Sequence, residues 1–88
     1  MATTRSGSGL IVRNPRIHGG EPIIRGTRVP VRSVVLSMED DYPGDLQALA
    51  QAYGVSVEAV EAALAYYRAH KDEIDRFIEK RERAAYGR

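Results

Sequence analysis

Cysteine is absent from all 88 residues, which excludes disulfides, zinc-thiolate sites and a cysteine nucleophile and suits a reducing cytoplasm. No apolar run approaches the roughly 18 residues that a membrane-spanning helix needs, so no membrane partner is expected. The opening MATTRSGSG has no apolar segment behind it. It reads as a disordered tail over residues 1–9 and not as a secretory signal, because small polar residues bury too little surface to order themselves. Low-complexity blocks are missing. With 43% hydrophobic and 28% charged residues, the composition is that of one small globular domain. A chain this short has a limited core, so self-association into a homodimer would help it by burying more apolar surface.

Groups able to do chemistry are sparse. The two histidines, His18 and His70, stand apart with no partner at metal-ligand spacing. Asp40-Asp41 reads as a solvated loop. No nucleophile, base and orienting group fall into a pattern, and Glu58 with Glu61 on a short helix reads as solvent-facing. No catalytic site, metal or cofactor is therefore expected.

Charge is plentiful but segregated. The net charge is only +1, yet Leu10 to Arg32 holds five arginines (Arg13, Arg16, Arg25, Arg28 and Arg32) against Glu21 alone. From Glu39 to Glu61 there are six carboxylates and neither lysine nor arginine. Segregation of this kind points to surfaces meant for different partners.

Leu10 to Arg13 is a β-leaning run closed by the turn signal Asn14-Pro15. In the stretch GGEPIIRGTRVPV, Gly19 to Val31, the pair Ile23-Ile24 and Val29 flank Arg25-Gly26-Thr27-Arg28. That predicts two very short strands joined by a tight turn, with Gly26 at positive φ. Pro22 and Pro30 lack a backbone donor, so they belong at the outer ends of this hairpin. Gly19-Gly20 has no Gly-Lys-Ser/Thr and no helix after it, so it is a turn and not a phosphate loop.

The period then changes. Val31, Val34, Val35 and Met38 fall at i, i+3, i+4 and i+7, which predicts an amphipathic helix to about Glu39, opened by Pro30. Asp45 caps a second helix, Leu46 to Tyr53, which Gly54 stops. Ser56 caps a third, with Val60, Leu64 and Tyr67 on one stripe. Acids at Asp72, Glu73 and Asp75 and bases at Lys80, Arg81 and Arg83 match the two ends of a helix dipole. They predict a fourth helix from about Asp72 to Ala85. A heptad-like register running from Val60 to Ala85 leaves one long bent helix as the alternative. The expected fold is mainly α: a β-ribbon plus helix-turn-helix-like domain over residues 10–70 and an extended C-terminal helix over 71–88.

The segment LQALAQAYGVSVEAVEAAL, Leu46 to Leu64, carries the helix-turn-helix spacing. Ala50 is small where the two helices cross, Gly54 supplies the left-handed turn, and Val60 packs back on Leu46 and Ala50. A DNA-reading helix offers Arg, Lys, Asn or Gln at its outward positions. This one offers Ser56, Val57, Glu58, Glu61, Ala62 and Ala65. Two carboxylates would face a duplex carrying one charge per ~1.7 Å, so the motif is expected to be architectural. The arginines from Arg13 to Arg32 are the better DNA-binding candidates. For Arg25 and Arg28, phosphate contact stands beside an ion pair with Glu21 or with the acidic segment.

GEPIIRGTRVPV, the acidic stretch ending in Asp41-Tyr42-Pro43, and VSVEAVEAALAYYRAH together resemble the domain of unknown function 433 family over roughly residues 11–79. Proteins that look like this are often antitoxins of VapB type, encoded beside a PIN-like ribonuclease toxin. The resemblance implies a cytoplasmic, dimeric antitoxin that neutralises a cognate toxin and represses its own operon. The alternatives are a DNA-binding repressor module without a toxin and a purely structural dimerisation domain. The toxin-facing surface is expected on the C-terminal helix, from Ile74, Phe77, Ile78 and Arg81, extended by Tyr66 and Tyr67; a dimer seam, or packing of the stripe onto its own domain, stands beside that reading. Such a stripe needs a cover, and tyrosine is favoured at interfaces.

Overall fold

The computed structural model describes the backbone of residues 9–86 and the side chains of residues 9–81. The helix formed by Val31–Asp40, α1, lies at the centre. Every residue from Val31 to Met38 is at least partly buried, so the chain packs around this helix on nearly all sides. Pro30 stands just before its first turn at φ −77°, where a missing N–H is harmless, and its carbonyl accepts from Ser33 and Val34.

Helix α2, Leu46–Tyr53, starts where the Asp45 carboxylate accepts from the Ala48 N–H at 3.0 Å. It ends at Gly54, whose φ of 68° is left-handed. The Val55 N–H then returns to the Ala50 carbonyl and that of Gly54 to Gln51, which satisfies two of the orphaned carbonyls at the helix end. Two residues after Gly54, Ser56 Oγ accepts from the Ala59 N–H at 3.1 Å and opens α3, Val57–Ala69. This helix buries Ala59, Val60, Ala62 and Ala63. The small side chains let it approach α1 and α2 closely, and Ala62, expected on the outer face, is in fact part of the buried one.

At His70, with φ −131° and ψ 44°, helical geometry lapses. Helix α4, Lys71–Tyr86, then packs against both α1 and α3. The fourth helix is therefore separate, and the single bent helix is not formed. The reason is Ile74, which is completely buried in the common core with Val31, Val35 and Val60. A helix running straight on from α3 would have left that side chain without cover.

The ribbon differs from the expected hairpin. Strand β1, Ile11–Arg13, pairs antiparallel with β2, Pro22–Ile24, with Ile11 opposite Ile24 and Arg13 opposite Pro22. Gly26 does take positive φ, 78°, and the tight turn is present. Beyond it, however, Ile23 and Pro30 form only an isolated bridge. The Thr27 hydroxyl donates to the Ile24 carbonyl and accepts from the Val29 N–H, and Pro30 has no donor, so the ladder cannot lengthen on that side. Adjacent residues of a strand face opposite sides, yet Ile23 and Ile24 are both buried, so the ribbon is covered on both faces. Apart from Gly9, the expected disordered tail lies outside the described residues.

Candidate functional site

The five arginines of the basic segment do not share one surface. Arg13, at the end of β1, pairs with the Glu73 carboxylate on α4 and donates to the Tyr66 hydroxyl at 2.7 Å. The Glu73 hydrogen bond raises its pKa further above the ordinary arginine value. Arg32 on α1 donates through Nε to Glu21 Oε1 at 2.9 Å, with only 13% of its side chain exposed. Arg16, Arg25 and Arg28 are exposed, and none makes an ion pair with a described residue. The ring Nε2 of His18 donates to the carbonyl of Arg28 at 3.0 Å, since a carbonyl can only accept. That bond holds the loop bearing Arg16 against the turn bearing Arg25 and Arg28.

The residues expected to face a partner are largely engaged inside the molecule. Ile74 belongs to the core and cannot line a docking surface. The Tyr66 hydroxyl donates to Glu73 at 3.2 Å, and its ring stacks on His70 with centroids 4.1 Å apart. Burial, first of all, pushes the Tyr66 hydroxyl pKa up. Tyr67 donates to Asp75 at 2.8 Å, and that bond is the main cause of its raised pKa. Lys71 at 2.8 Å, then Tyr67, hold the Asp75 carboxyl below its ordinary range. Phe77 and Ile78 are half-buried against the core, and Arg81, 50% exposed, reaches Glu21 Oε2 at 3.4 Å.

Glu21 is the unexpected centre of this arrangement. Its side chain is 4% exposed and lies between Arg32 of α1 and Arg81 of α4, not beside Arg25 or Arg28. A buried carboxylate persists only when it is paired and hydrogen-bonded. The signal for it was present in the sequence as the one acid of an arginine-rich segment, followed at once by Pro22-Ile23-Ile24. What spacing could not show was which arginine answers it.

Residues 11–67 match the family described as "Protein of unknown function (DUF433)". The chain belongs to the DUF433 family. It is also similar to a solved structure, the crystal structure of a DUF433 member protein from Anabaena variabilis ATCC 29413 at 2.00 Å resolution. The two share 35% identity with a TM-score of 0.70, over 82% of this chain and 70% of that one. No curated protein matches. The DUF433 region takes in the ribbon, Glu21, Arg32, α2 and most of α3, and it stops short of α4.

Within this DUF433 domain the helix that would enter a major groove presents Glu58, Glu61 and Ala65 to solvent. Glu39, Asp40, Asp41 and Asp45 add further exposed carboxylates around the end of α1 and the start of α2. Among the described residues, no three histidine, aspartate or glutamate side chains gather as a metal site would require. No described helix is long and apolar enough to cross a membrane. Exposed cations thus sit on the loops of the ribbon and exposed carboxylates on the segment from α1 to α3.

Proposed function

We propose that this DUF433 chain is a non-catalytic, dimeric DNA-binding regulator of the antitoxin kind, gripping duplex phosphates through the ribbon and not through α3. The observation that supports it is the contrast between two exposed faces. Arg16, Arg25 and Arg28 project from neighbouring loops without a carboxylate partner among the described residues, whereas α3 presents Glu58 and Glu61. Arginine suits phosphate because its planar fork donates two parallel hydrogen bonds. A dimer would present the set twice.

The test is fluorescence anisotropy of the duplex upstream of the protein's own gene, measured across a salt series. Affinity should fall steeply with salt, and each arginine removed should flatten the slope by about 1 per protomer. Arg25→Ala with Arg28→Ala should therefore weaken binding at least about tenfold and reduce the slope by about 2 per protomer. An unchanged slope in that double variant would remove the ribbon from the interface.

The same proposal assigns neutralisation of a PIN-like ribonuclease to the edge of α4. There the partly buried Phe77 and Ile78 lie beside exposed Arg76 and Lys80, an apolar and basic mixture suited to an acidic nuclease site. Co-expression with an adjacently encoded small nuclease should give a complex that Phe77→Asp abolishes. A complex that survives this substitution, in a variant with unchanged circular dichroism, would place the toxin elsewhere.

A further inference from the structure

Between the single 3-10 turn His18–Gly20 and helix α4 lies a cleft of about 350 Å³, lined by His18, Gly19, Glu21, Phe77, Lys80 and Arg81. Its volume falls at the small end of the range for organic ligands. Phe77 lies three residues before Lys80 and four before Arg81, so all three share one side of the helix and look into the same space. Lys80 is exposed and has no ion pair with a described residue. Arg81 gives one of its five donors to Glu21 and keeps half of its side chain exposed. Glu21, for its part, is already occupied on its other oxygen by Arg32. The cleft therefore holds two accessible cations over one fully engaged carboxylate, a local excess of positive charge held in place from below.

The opposite wall is equally specific. His18 has φ 51°, and among the described residues it is the one non-glycine residue with positive φ. Such a backbone is disfavoured for a residue with a side chain, and it is held here by the bond from its ring to the Arg28 carbonyl. Gly19 follows at φ 64°, with open space where a Cβ would stand. A ligand can thus approach the main chain there without meeting a side chain.

We propose that this cleft binds the phosphomonoester group of a nucleotide, with Lys80 and Arg81 on the phosphate, the Gly19 main chain beside it, and the ring of Phe77 under the base. Paired cations select a dianionic phosphate, and an aromatic face accepts any base by stacking. The site is separate from the arginines of the ribbon turn and does not depend on them. The nucleotide is either free or the 5′-phosphorylated end of a nucleic-acid strand, since both present the same group.

Titration of the isotope-labelled full chain followed by NMR tests it, with adenosine monophosphate, adenosine, inorganic phosphate, and short single strands with and without a 5′-phosphate as probes. Adenosine monophosphate should shift the amide signals of Gly19, Gly20, Phe77 and Lys80 saturably. Inorganic phosphate should do so more weakly, and adenosine not at all. Lys80→Ala, which removes no described contact, should weaken binding at least about tenfold, whereas Arg25→Ala with Arg28→Ala should leave it unchanged. Arg81→Lys keeps a cation for Glu21 and should weaken it as well. Response to the phosphorylated strand alone would assign the site to strand ends. Equal shifts of the Gly19, Gly20, Phe77 and Lys80 signals by phosphorylated and unphosphorylated strands, or no shift there with any phosphate, would overturn the proposal.

Discussion

Replacing Ile74 by alanine should lower the unfolding free energy by about 2–5 kcal/mol, the range for truncating a fully buried isoleucine. Its side chain is 0% exposed and meets the core built by α1 and α3. Truncation removes buried methyl groups and leaves a cavity that close-packed neighbours fill only in part. If α4 instead stood off the domain as an arm for a partner, the same change would stay within about 0.5 kcal/mol. Urea denaturation separates the two outcomes, read as a shift of the midpoint at constant slope. A loss below about 1 kcal/mol would show that α4 is not docked through this residue. Ile74→Val, which deletes one methyl, should lose about 0.5–1.5 kcal/mol and keep enough folded protein for comparison.

Removing the Glu21 carboxylate should have an effect of the same order, for an electrostatic reason. Glu21→Ala leaves Arg32, whose side chain is only 13% exposed in the intact protein, without its counter-ion. Breaking a buried pair on one side typically destabilises by about 3–5 kcal/mol. The Arg81 contact adds little to that figure, because a half-exposed, 3.4 Å pair is screened by solvent. Exchanging both Glu21 and Arg32 for methionine should recover much of the loss, since well-packed apolar replacements of a buried pair are often neutral. A double-mutant cycle measures the coupling directly. Additive single losses would mean that the two side chains do not depend on each other.

Local features of the fold were legible because their causes lie within a turn of chain. Asp45 and Ser56 cap α2 and α3 because a side-chain oxygen reaches an N–H three residues on. Gly54 stops α2 because only glycine adopts φ 68° freely. The 3.6-residue period of Val31, Val34 and Val35 identified α1 and its buried stripe. The candidate site was half legible. That arginines crowd before Arg32 is plain from composition, but Arg13 and Arg32 turned inward while Arg16, Arg25 and Arg28 stayed out. No spacing rule separates these, because each choice depends on where a carboxylate arrives from another element.

The amino-acid order by itself determined the helices, their caps, the turn at Gly26, the segregation of charge and the DUF433 membership of residues 11–67. These rest on backbone dihedrals, periodicity and neighbours a few residues apart. Only the tertiary structure decided that β2 pairs with β1, that the chain breaks at His70, and that Ile74 faces its own core. It also decided that Glu21 answers Arg81, 60 residues away. A period announces that a face will be buried, not what will bury it. That is settled when chain closure brings distant elements together and each buried group must find its partner among whatever has arrived.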